Sequence, residues 1–290
     1  MDKNFVASQD NFEFTTLKEI VVGLLQNTGY LVDVNTTGVA TGFDNIDAIT
    51  KGFQQGELSV IASKPGSGKT AFLLSLLFNI ASKSGKTVGL FSPERSAVKM
   101  FHRLINNETH HSVQQIMSGS LKDSEKEFVH NSLYTLSQAE IYVDDTTSLT
   151  EKDFHKRCKQ LKNKFGADII FVDGLELISF PDLSDIDEDT SEPHYVLNDF
   201  KKVAKELDLP IVVFSHLANT STFGSETIPT LENVYDFMPK IADSIYLIHR
   251  QNMEDKANII IAQHPAVKES VVISLKFIES IDKFVDFGKE

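Results

Sequence analysis

The residues most able to do chemistry lie where the apolar run Leu58–Ala62 passes into Ser63-Lys64-Pro65-Gly66-Ser67-Gly68-Lys69-Thr70, followed from Ala71 by a strongly helical pattern. Strand, glycine-bearing loop and helix, in that order, are the setting a phosphate loop requires. Loop N–H groups and the helix N-terminus surround the phosphates. Lys69 is placed to reach the β- and γ-phosphates, and the Thr70 hydroxyl to ligate Mg²⁺. The predicted ligand is a nucleoside triphosphate, Mg²⁺-ATP, held by Ser63 to Ala71. Ser63 stands where the usual pattern has its first glycine, but Gly68, Lys69 and Thr70, the hardest to replace, are present.

A second candidate is Asp173. The run Ile169-Ile170-Phe171-Val172 describes a buried strand that delivers one carboxylate at its C-terminal edge, where open α/β sheets bind ligands, and that carboxylate would hold Mg²⁺ through water. Gly174 follows it, so a base for the attacking water must come from elsewhere. Glu94, in Phe91-Ser92-Pro93-Glu94-Arg95-Ser96, is one candidate. It reads equally well as a charge favourably placed at a helix N-terminus.

The elements that would position these groups alternate. Strand patterns at Leu58–Ala62, Thr87–Phe91, Ile141–Asp144, Asp168–Val172 and Ile211–Ser215 are separated by helical patterns at Thr70–Ser82, Ala97–Ile105, Ser124–Leu136, Thr150–Phe165 and Tyr195–Leu207. Such alternation predicts an α/β fold, a mostly parallel sheet with helices on both faces. Four further strand patterns, Ser244–Ile248, Asn258–Ile261, Val271–Ile278 and Phe284–Phe287, joined by short polar turns, predict an antiparallel extension. Residues 1–35 form a separate arm ahead of a domain at 36–290. In the arm Leu17, Ile20, Val21, Leu24 and Leu25 make one apolar helical stripe, with Thr16 and Glu19 as a capping box. By pattern alone this stripe folds back on its own domain.

Bulk properties narrow the class. With 290 residues, 41% of them apolar, a sizeable core is available. The single cysteine, Cys158, excludes an internal disulfide and fits a reducing cytoplasm. No stretch reads as a membrane span or a signal peptide. The formal net charge of −13 is unlike that of a protein built to grip phosphate backbones, and Asp182–Glu192 is acidic without a Lys or Arg.

The motifs together resemble a known family. Thr41-Gly42-Phe43 with Ile46-Asp47, then Gly52-Phe53, Gly56-Glu57-Leu58 and the phosphate loop, are similar to the opening of the RecA-like motor domain of DnaB-type replicative helicases. Phe91 to Ala97 resembles the segment bearing that family's catalytic glutamate. Ile141 to Thr146 resembles a further block, Asp173-Gly174-Leu175-Glu176-Leu177-Ile178 its Asp-Tyr-Leu-Gln-Leu-Ile pattern, and Lys283-Phe284-Val285 its end. The resemblance implies a RecA-like P-loop NTPase fold over roughly residues 15–287, without the family's amino-terminal collar domain. It implies Glu94 as the water-polarising base, and Leu17–Gln26 as the linker helix docking on the neighbour in a six-membered ring on single-stranded DNA. Two departures stand out. The family's γ-phosphate-sensing Gln is His216 here. Its Lys and Arg, which reach into the neighbouring active site, are replaced by Gln263-His264-Pro265-Ala266-Val267, leaving Arg250 and Lys268 as cations that could serve the nucleotide instead. The expectation is therefore an ATP-hydrolysing helicase motor using Lys69, Glu94 and His216, with weak DNA binding. The alternative is a degenerate ATP-binding relative with a regulatory or assembly role.

Overall fold

In the computed structural model, which describes residues 37–178, 191–218, 227–250 and 255–287, the apolar runs assemble into one nine-stranded sheet. The strands are β1 Leu58–Ser63, β2 Val88–Phe91, β3 Ile141–Asp144, β4 Ile169–Asp173, β5 Ile211–His216, β6 Ser244–Arg250, β7 Lys256–Gln263, β8 Val271–Ile278 and β9 Lys283–Val285, in the spatial order β3-β2-β4-β5-β1-β6-β7-β8-β9. From β3 to β6 all neighbours run parallel. From β6 to β9 they run antiparallel. The change follows from the connections: long helical crossovers feed the parallel part, and short turns feed the rest.

The helices are α1 Asp44–Thr50, α2 Lys69–Leu77, α3 Ala97–Thr109, α4 Val113–Met117, α5 Asp123–Ser137, α6 Glu151–Phe165, α7 Glu192–Leu207 and α8 Met238–Ile241. Every residue of β1 and β4 is buried, because apolar cores cover both faces of the sheet. On one face Phe72 of α2 stacks on Phe43 at 5.3 Å and meets the edge of Phe284 from β9 at 5.3 Å. On the other, Phe154 of α6 lies between Phe91 and Phe200, with ring centroids 4.9 and 4.4 Å away. Side chains this deeply buried contribute about 1.5–3 kcal/mol each, which fixes α2 and the loop before it against the sheet.

Several expectations need adjusting. The expected helix Thr70–Ser82 is α2 followed by a π-helical turn, Phe78–Lys83, whose Asn79 side chain reaches back to the Thr41 carbonyl at 3.3 Å. The last strand is shorter than Phe284–Phe287 and ends at Val285. Asp199, one of the acids after β4, is buried in α7 and bound to His155 of α6 at 2.8 Å. The arm at 1–35, its helix Leu17–Gln26 and most of the acidic stretch Asp182–Glu192 lie outside the described residues. No helix among the described residues is long and apolar enough to cross a membrane. Cys158 is buried, and that burial pushes its thiol well above the ordinary range.

Candidate nucleotide site

β1 ends at Ser63, fully buried, and the chain turns at once: the Ser67 N–H donates to the Lys64 carbonyl at 3.2 Å. Gly66 and Gly68 adopt φ of +80° and +95°, a region that side chains other than glycine rarely enter. At Gly68 space is short as well, since a Cβ there would lie 3.0 Å from the Phe284 ring. These constraints bring Lys69 to the first position of α2, where the helix dipole and unpaired N–H groups already favour an anion.

A cleft of about 360 Å³ opens over this turn. The loop contributes Lys64, Pro65, Gly66 and Gly68, and the helix start adds Lys69, Thr70 and Ala71. Glu94, His216 and Arg250 come in from the ends of β2, β5 and β6. Ser63 and Ser67 support the turn from behind without lining it. The Lys69 ammonium nitrogen is buried and has no hydrogen-bond partner among the described residues, and the same holds for both carboxylate oxygens of Asp173, fully buried at the end of β4. Burial pushes the Asp173 carboxyl above its ordinary range. Lys69 pulls it back, Glu94 pushes it further up, and Arg95 and His216 pull it down. The five side chains therefore share one electrostatic field. Burial also lowers the Lys64 ammonium.

The outer residues are held by named contacts. The His216 N–H donates to the Glu176 carboxylate at 2.6 Å, and the Ser215 hydroxyl donates to the same oxygen. The His216 Nδ1 is buried without a partner among the described residues. The Arg250 Nη2 donates to the Gly66 carbonyl at 3.4 Å, and its guanidinium lies 4.2 Å from the centre of the Phe277 ring, so this cation belongs to its own subunit's cleft. Lys268 is exposed and away from the cleft. The Gln263 amide turns inward to the Pro239 and Ala242 carbonyls, at 3.2 and 2.9 Å.

Sequence reasoning missed four residues. Arg95, Arg103 and Asp282 line the cleft, the last two as an ion pair, and Glu176 holds the end of β5. Arg95 could have been found from its place beside Glu94. The Arg103–Asp282 contact joins residues far apart in the chain and leaves no local signal.

Cations ring a turn that offers backbone N–H groups, which suits a polyphosphate. Unpartnered carboxylate oxygens at Asp173 and a hydroxyl at Thr70 are hard oxygen donors that suit Mg²⁺. The family model for the DnaB-like helicase C terminal domain matches residues 38–286. The chain belongs to that family. It is 30% identical over 287 residues to the replicative DNA helicase DnaB of Geobacillus stearothermophilus, covering 95% of this chain and 63% of that protein. It is 28% identical over 287 residues to the replicative DNA helicase DnaC of Bacillus subtilis, with the same coverage of both chains. Among solved structures, an ATPase domain superposes with a TM-score of 0.83 at 25% identity, covering 95% of this chain and all of that one. A DnaB-like replicative helicase shares the fold, with a TM-score of 0.77 at 23% identity over 95% of this chain and 68% of that one. The chain thus spans about 63% of the length of the two named relatives. A family of helicases leaves the regulatory or assembly reading without support.

Proposed function

We propose that this chain is the ATP-hydrolysing motor domain of a DnaB-like replicative helicase, working as a ring of six copies on single-stranded DNA. The observation that carries the reading is the buried ammonium of Lys69, in the phosphate-loop cleft, and the buried carboxylate of Asp173, whose charge Lys69 feels, both without hydrogen-bond partners among the described residues. Burying two such groups unsatisfied is costly unless a ligand completes them.

In this reading the N–H groups of Gly66, Gly68, Lys69 and Thr70 wrap the β-phosphate, and Lys69 bridges the β- and γ-phosphates. Thr70 and Asp173 would hold Mg²⁺, which neutralises charge developing on the phosphate oxygens. Arg250, fixed on Gly66 and Phe277, braces the nucleotide from the β6 side. Glu94 polarises the attacking water. The water oxygen bonds to the γ-phosphorus as the bond to the β,γ-bridging oxygen breaks. The electron pair leaves on ADP, and the water proton passes to the Glu94 carboxylate. His216 senses the γ-phosphate, with its main chain held by Glu176. For assembly, the apolar stripe of Leu17–Gln26 needs a surface. A groove between α3 and α5, walled by Phe101, Leu104, Ile105, Leu133 and Leu136, is apolar enough to receive it from a neighbouring copy.

The test is ATP turnover and binding in two variants. Lys69→Ala loses both hydrolysis and most of the affinity, whereas Glu94→Gln binds ATP normally and does not turn it over. Equal ATP affinity in Lys69→Ala and the parent protein removes the nucleotide assignment. Normal turnover in Glu94→Gln removes only the base.

A further inference from the structure

Arg95 lines the nucleotide cleft beside Glu94 without belonging to the phosphate loop. The turn carrying it is pinned on both sides. The Ser92 hydroxyl donates to the Arg95 carbonyl at 3.0 Å, and the Ala97 N–H donates to the Asp145 carboxylate at 3.0 Å. The guanidinium itself is uncommitted. Its Nη2 lies 3.6 Å from a Glu94 oxygen, too far for a hydrogen bond, and its Nε is buried with no hydrogen-bond partner among the described residues. Of the other arginines of the cleft, Arg103 is paired with Asp282, while Arg250 is anchored by Nη2 on the Gly66 carbonyl and by its place over the Phe277 ring, its Nε and Nη1 likewise having no hydrogen-bond partner among the described residues.

A planar fork of donors kept partly dry and unspent is matched to a phosphate or carboxylate. The neighbouring Glu94 carboxylate is a poor answer, because a half-exposed pair at that distance is a weak contact and would occupy the group expected to polarise water. A γ-phosphate carries more charge and would draw the guanidinium away. The Arg95 charge is also felt at the buried Asp173 carboxyl, as that of Lys69 is, so the two cations act on one region of the site.

We propose that Arg95 is a catalytic residue acting in cis: its guanidinium binds the γ-phosphate oxygens of the nucleotide in its own subunit and, by leaving Glu94, frees that carboxylate for the attacking water. This rests on the hydrolytic reading above. Because the charge of phosphoryl transfer is spread over the equatorial oxygens, a planar cation there stabilises the transition state more than the ground state. ADP has no γ-phosphate and should not feel Arg95.

The experiment uses the full chain as Arg95→Ala and Arg95→Lys, measuring steady-state turnover and displacement of a fluorescent nucleotide by ADP and by a non-hydrolysable ATP analogue. Arg95→Ala is expected to lower kcat by about 100-fold or more and to weaken the analogue by about 10-fold, with ADP affinity unchanged. Unchanged ADP affinity also shows that the variant is folded. Arg95→Lys restores part of the rate, because a point charge replaces only part of a fork. Mixing Arg95→Ala with Lys69→Ala subunits gives no recovery if the residue acts in cis; recovery would show that it serves a neighbour and overturn the proposal. Unchanged kcat and unchanged preference for the analogue over ADP overturn it too. If instead Lys69→Ala still hydrolyses ATP, the hydrolytic reading itself has failed.

Discussion

At the scale of single residues, Asp173 carries a cost that only a ligand relieves. Its carboxyl is raised by burial even after the Lys69 ammonium is counted, so the charged form weakens the ligand-free fold. The sign follows from linkage. A carboxyl whose folded value exceeds its unfolded value of about 4 binds its proton more tightly when folded. Stability is therefore lost as pH rises through that range, and the loss is complete above the folded value. Asp173→Asn removes the charge while keeping the shape. Without nucleotide at neutral pH it should melt about 2–4 °C higher, for roughly 1 kcal/mol, and the gain should vanish towards pH 4. Turnover should disappear, and Mg²⁺-ATP, expected to raise the melting temperature of the parent protein, should fail to raise that of the variant. Thermal scans across pH, with and without nucleotide, check this, and a variant less stable than the parent at pH 7 would contradict it.

At the scale of elements, the turn before α2 keeps its shape because α2 and β9 are locked together. The Phe284 N–H donates to the Ser75 hydroxyl of α2 at 3.0 Å, and the Phe284 ring fills the space a Gly68 side chain would need. Gly68→Ala meets two penalties, the ring contact and the φ of +95°. It should destabilise the protein by about 1–3 kcal/mol and abolish nucleotide binding. Adding Phe284→Leu removes the contact but not the backbone cost, so urea unfolding should show little rescue; full rescue would mean that φ is not the constraint. The same elements show what a sequence can disclose. Strand, loop and α2 were legible because a phosphate loop is a local pattern. β4 announced itself through four apolar residues closed by Asp173. The short helices α1, α4 and α8 were not legible, since none is long enough to display a helical period. In α1, Asp47 instead accepts the Thr41 and Gly42 N–H groups, at 2.8 and 2.9 Å, so its carboxylate fixes a turn. Glu94 was found beside the cleft, yet the grip of Glu176 on His216 depends on β4 and β5 lying side by side, which sheet topology decides.

For the whole molecule the questions are assembly and charge. If the stripe of Leu17, Ile20, Val21, Leu24 and Leu25 fills the groove between α3 and α5 on a neighbour, removing residues 1–30 should shift the oligomer to monomer and leave the domain folded. Light scattering at high concentration with ATP checks this, and equal monomeric masses with and without the arm would exclude it. In the proposed ring, the segments that follow β4 and β5 in sequence would be the ones to meet DNA. Between Pro181 and Phe200 the sequence has seven acids and no Lys or Arg, but Asp199 is buried against His155 and cannot face a ligand, which leaves six. Between Leu217 and His249 it has Glu226, Glu232, Asp236 and Asp243 against Lys240 alone. Asp243 also drops out. It accepts the Leu58 N–H at 2.7 Å and pairs with Lys201 at the start of β1, the sheet edge opposite the cleft. The remainder is still acidic, and the net charge of −13 adds a repulsive field over the whole surface. Single-stranded DNA is therefore expected to bind this chain weakly, with a dissociation constant in the range of about 10⁻⁴–10⁻⁶ M near physiological salt, and to stimulate hydrolysis little. Fluorescence anisotropy with an oligothymidine measures it. A sub-micromolar constant that weakens steeply with salt would reveal a basic track formed in the assembled ring and reverse the prediction.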